Sequence, residues 1–86
     1  GQELHRYSLQ LEGVNSYVDA KPVYDPIREF AKTSIIHFSE NSNRFEFDSV
    51  QLLDSDKITE YMGQLGFQVL FFAREVATVP TNNEKE

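Results

Sequence analysis

Few side chains in this sequence could do chemistry, and their spacing decides what kind. His5 and His37 are the only imidazoles. No second ligand stands at metal spacing from either, and a lone histidine between Ile36 and Phe38 reads as a surface or partly covered strand residue. Glu46 and Asp48 share one strand parity, and Asp54 and Asp56 flank a helix start. Paired carboxylates can hold Mg²⁺ or Ca²⁺, or divide acid and base work between them. Here the calcium-loop spacing is missing, and Asp54 and Asp56 have a simpler role in capping a helix and meeting its dipole. Cysteine is absent, which excludes a disulfide scaffold, a thiolate nucleophile and any Cys-ligated zinc or iron–sulfur centre. There is no glycine-rich phosphate loop, no Gly-x-Ser-x-Gly elbow and no His-Glu-x-x-His, and Gly13, Gly63 and Gly66 are too dispersed to cradle a phosphate. No catalytic residue, cofactor or metal ligand is assigned, and the expectation leans away from an enzyme.

Charge placement carries the functional signal instead. The chain has 86 residues and a formal charge of −6. Residues 40–60 hold six acids (Glu40, Glu46, Asp48, Asp54, Asp56, Glu60) against two bases (Arg44, Lys57), which is −4 of that −6. The eight Lys and Arg residues are otherwise scattered singly, with no basic stripe to neutralise phosphates. Binding to nucleic acid or to an anionic membrane is therefore not expected. Ferredoxin-like RNA-binding modules stack bases on strand aromatics, but Phe45 and Phe47 have Glu46 and Asp48 beside them, which repel phosphates. The clustered acids predict one acidic edge, suited to a protein partner or to solubility.

The elements that must position these residues follow from periodicity. With 40% hydrophobic and 26% charged residues the composition is globular, and 86 residues make one domain with one core. Seven Phe and no Trp mean that the core leans on phenylalanine. Tyr7–Glu12 alternates apolar and polar as a strand. Val14–Tyr24 reads as a loop, because Asp25-Pro26 is a helix start and an earlier start would bury Pro26 in the helix interior. Ser34–Ser39 and Arg44–Leu53 form a hairpin about the turn Glu40-Asn41-Ser42-Asn43, expected in the middle of the sheet. In its second strand Phe45 and Phe47 oppose Val50 and Leu52 in parity, so a bulge near Asp48-Ser49 is expected to reset the phase. Ile58, Tyr61, Met62 and Leu65 then make a helical stripe behind Asp54-Ser55-Asp56, ended by Gly66. Phe67–Ala73 is a final strand. The ordered core is expected over about 5–77, with 78–86 a flexible tail, and the leading Gly1-Gln2 leaves the natural start open.

The order strand, helix, strand, strand, helix, strand describes an α+β two-layer sandwich of ferredoxin-like type, with a four-stranded antiparallel sheet and two helices on one face. A second possibility comes from likeness. Glu46–Ser55, EFDSVQLLDS, resembles the strand-to-helix signature of STAS (anti-sigma-factor antagonist) domains, and Leu9–Gly13 is similar to their early strand. The pattern then departs: Asp56-Lys57 replaces Ser-Gly, the helix is much shorter, and the later strand and helices are missing. The resemblance implies a STAS-like or other small α/β fold, and Ser55 as a phosphorylation site at a helix N-terminus.

The expected function is a small acidic protein-interaction or regulatory domain, binding a protein partner or itself as a homodimer. Adjacent Phe71 and Phe72 must face opposite sides of the sheet, and a second copy could cover the one that the helices leave out. Glu40, Glu46, Asp48, Asp54, Asp56, Phe71 and Phe72 form the candidate interaction surface. The alternatives are a metabolite-binding regulator or enzyme with a pocket on the open sheet face or in a dimer cleft, near His37, Glu46 and Asp48, and an acidic inhibitor or immunity-type protein. Polar termini and the lack of any apolar run near 20 residues predict a soluble, cytoplasmic protein.

Overall fold

The structure, a computed structural model, describes residues 3–76. The expectations for 78–86 and for Gly1-Gln2 lie outside the described residues. Element order is β1 (His5–Leu11), α1 (Tyr17–Ala31), β2 (Ile36–Ser39), β3 (Arg44–Ser49), α2 (Ser55–Gln64) and β4 (Val69–Val76). The sheet runs β2-β3-β1-β4 with every pair antiparallel, and both helices pack on one side. This is the ferredoxin-like α+β fold. β1 and β3 are the central strands, so the hairpin does not occupy the middle: β2, with four residues, is one edge.

The inner face is set by strand parity. Tyr7, Leu9 and Leu11 of β1, Phe45 and Phe47 of β3, and Phe38 of β2 are all buried beneath the helices. Tyr7 lies between Phe47 and Phe72, each ring centroid 5.5 Å away, and Phe38 meets Phe45 at 4.8 Å. Burial of such rings is the main stabilising term, roughly 1.5–3 kcal/mol each. From the helices come Ala20, Val23, Ile27 and Ala31 of α1, and Ile58 and Met62 of α2.

Two further sequence expectations are corrected. The first is the start of α1, which begins at Tyr17 and not at Asp25-Pro26. Pro22 and Pro26 both sit inside the helix, where each lacks an N–H for the ladder at a cost of about 3 kcal/mol. Three things outweigh that cost. Ser16 is the N-cap, its Oγ accepting from the Asp19 amide at 3.2 Å. The Tyr17 amide donates to Glu40 Oε2 at 2.9 Å, across from the hairpin turn. And the stripe Ala20–Val23–Ile27–Ala31 is completely buried, which the sheet can enforce only if the segment is helical from its first turn.

The second correction concerns β3. Its pairing with β1 runs regularly from Arg44 to Ser49, with no bulge at Asp48-Ser49. The strand ends instead. Ser49 takes the inward position, donating its hydroxyl to the Ala31 carbonyl and accepting from the Gln51 amide at 2.9 Å, and Leu52 is left exposed in the following loop. That loop is held by the Tyr7 hydroxyl, which donates to the Gln51 carbonyl at 2.7 Å and accepts from the Leu53 amide at 2.9 Å. The irregularity in the sheet lies in β4: Leu11 pairs with Val69 and Gln10 with Phe71, which leaves Leu70 as an extra residue.

Candidate interaction surface

The face of the sheet away from the helices is where most of the candidate residues meet. Alternation places Arg6, Ser8 and Gln10 of β1 there, with Arg44, Glu46 and Asp48 of β3, His37 of β2, and Phe71, Ala73 and Glu75 of β4. The register aligns them in rows: Phe71–Gln10–Arg44, then Ala73–Ser8–Glu46–His37, then Glu75–Arg6–Asp48. Opposite charges therefore fall near one another, as favourable cross-strand pairing requires.

Two contacts organise this face. Arg6 grips Asp48 in a fork, Nε to Oδ1 at 2.9 Å and Nη2 to Oδ2 at 3.1 Å. Those hydrogen bonds, more than the charge alone, hold the Asp48 carboxyl below the ordinary carboxylate range and raise the Arg6 guanidinium. Arg44 reaches across Gln10 and lies over the Phe71 ring, its guanidinium carbon 3.9 Å from the centroid. Among the described residues no carboxylate forms an ion pair with Arg44. A depression of about 220 Å³ opens between the two contacts, lined by Arg6, Ser8, Arg44, Phe71, Ala73 and Glu75 among others.

The seven residues singled out in the sequence are divided by the fold. Glu46, Asp48 and Phe71 share the outer face. Glu40 lies in the hairpin turn and caps α1. Asp54 is the N-cap of α2, accepting from the Asp56 amide at 2.8 Å, and Asp56 is exposed in the first turn. Phe72 points inward onto Tyr7. Of the six acids between 40 and 60, then, three have structural partners and the cluster spreads over both layers of the domain. Ser55 is exposed at the first position of α2 between Asp54 and Asp56, and its carbonyl accepts from Thr59 Oγ1 at 2.9 Å.

His37 stands on the outer face opposite Glu46, on the open edge strand, and the depression lies on the β1–β4 side, not beside it. His5 is buried at the inner end of β1, with Nδ1 3.4 Å from Arg74 Nη1 and Nε2 3.7 Å from Glu3. Its parity with Tyr7, Leu9 and Leu11 was the signal for this, available in the sequence. Among the described residues no three His, Asp or Glu side chains come together as a metal site. Phe45 and Phe47 are 0% and 3% exposed, so neither ring can stack on a base. A shallow groove of about 540 Å³ runs between α2 and the start of β4, past Gly63, Gly66 and Phe67. Among the described residues no helix is long and apolar enough to cross a membrane. Comparisons with protein-family models, with curated proteins and with solved structures found no match.

Proposed function

We propose that this chain is a small, non-catalytic protein-interaction domain that self-associates and presents the outer face of its sheet as the working surface, in the cytoplasm. The Arg44–Phe71 stack is the observation that carries this. Arginine and aromatic side chains dominate the binding energy of protein interfaces. Here the two are stacked on the sheet, and among the described residues the guanidinium makes no ion pair. A side chain already ordered loses less entropy when a partner arrives. Sedimentation equilibrium at high micromolar concentration tests the self-association: a mass above the monomer supports it, and a monomer removes it.

A metabolite-binding regulator is the alternative, favoured by the depression between Arg6, Ser8 and Arg44. It requires that small carboxylates or phosphates shift the resonances of those residues specifically and saturably. Unchanged spectra at millimolar ligand remove it.

A further inference from the structure

We propose that two copies of this chain join edge to edge through β4, antiparallel about a two-fold axis at Ala73, into one continuous eight-stranded sheet; this rests on the reading that the domain self-associates. Among the described residues nothing pairs with the outer edge of β4, which is eight residues long, against four for β2 at the other edge. Its sequence, Val69-Leu70-Phe71-Phe72-Ala73-Arg74-Glu75-Val76, has high strand propensity, no proline and a single charge pair. A long, apolar, unpaired edge is a template for another strand.

The charges choose the register. A two-fold normal to the sheet keeps every side chain on its own face, so a residue must lie on the axis. Centres at Arg74 or Glu75 set like charges directly opposite each other, which is unfavourable. A centre at Phe72 carries the pairing past Leu70, the extra residue in β4. With Ala73 on the axis, Arg74 lies opposite Phe72 of the second copy on the helical side. On the outer side Glu75 of the second copy lies opposite Phe71, beside the guanidinium that Arg44 holds over that ring. Arg44, which pairs with no carboxylate among the described residues of one protomer, gains one from the other, twice by symmetry. The outer faces of the two copies then merge into one surface of double width, which leaves them free for a further partner.

The chain has no cysteine, so a single introduced thiol reports the register. Directly opposed residues in antiparallel strands have Cα atoms roughly 4.5–5.5 Å apart, within the roughly 4.4–6.8 Å that a disulfide spans. Ala73→Cys, under a mild oxidant at ~100 μM protein, is expected to cross-link at least about tenfold faster than Ile35→Cys at the β2 end, given the millimolar effective concentration of held groups. Arg44→Glu is expected to weaken association roughly tenfold, and adding Glu75→Arg to restore it. Wild-type protein that stays monomeric at high micromolar concentration overturns both this arrangement and self-association itself. A wild-type dimer in which Ala73→Cys links no faster than Ile35→Cys overturns the edge arrangement alone.

Discussion

The two faces of one sheet are built from alternate residues of the same strands, yet they are held by different physics. On the inner face, Tyr7, Leu9, Phe45 and Phe47 are closed over by the helices, and the one hydroxyl among them is fully employed. On the outer face, one residue along in each case, Arg6, Ser8, Arg44, Glu46 and Asp48 meet in pairs and stacks open to solvent. Burial on the inner face sets the fold, because apolar area removed from water is worth far more than exposed ion pairs. The outer face is correspondingly free to vary and to bind. On the proposed reading, a strand in this domain carries fold and binding surface on alternate residues.

Mutations can break that division if it is false. The largest effect is expected at Phe45, where truncation to Ala leaves a cavity at the centre of the core and costs about 3–5 kcal/mol in chemical denaturation. Tyr7→Phe removes only an oxygen, but it strips the Gln51 carbonyl and the Leu53 amide of their partner, so a loss of about 1–3 kcal/mol is expected. Hydrogen exchange at Leu53 should accelerate with it. If Tyr7→Phe is neutral, the loop after β3 is not held as described.

Outer-face changes should be smaller. Arg44→Ala loses the stack on Phe71, worth about 0.5–1 kcal/mol at an exposed site. Asp48→Asn is expected to be the smallest of these changes, present at neutral pH and vanishing in acid, where the wild-type carboxyl is itself protonated. The Asp48 carboxyl is held below its ordinary value of 3.8 by Arg6, so the stability it contributes is present above that value and is lost as pH falls below it. Thermal denaturation between about pH 5 and pH 2 should therefore show a shallower acid decline in the variant. An unchanged acid decline would mean that the fork between Arg6 and Asp48 adds nothing to stability.

How legible this was depended on whether the signal was local. α2 could be read directly, since Asp54 caps it and Ile58 and Met62 repeat one turn apart. The inner faces of β1 and β3 followed from alternation, but the neighbours did not: the hairpin expected in the middle of the sheet has β2 at its edge. The start of α1 departs from the expectation because the proline rule is local, whereas the Ser16 cap is reinforced by Glu40 arriving from a distant turn. The end of β3 failed for a similar reason. Ser49 is a poor inward residue on its own, and the Ala31 carbonyl that satisfies it is supplied by α1. The acidic run looked like one surface because it is one stretch of chain; the fold assigns Glu40, Asp48 and Asp54 to three separate partners. The Arg44–Phe71 stack could not be read at all, since it needs β3 and β4 placed on either side of β1.

The claim that the outer face works while the inner face folds is tested most directly by sedimentation equilibrium of the wild type and of Arg44→Glu at high micromolar concentration, with circular dichroism of both. The expected result is self-association in the wild type, roughly tenfold weaker association in Arg44→Glu, and the same folded spectrum for the two. Monomers throughout, or equal association in both, would contradict it.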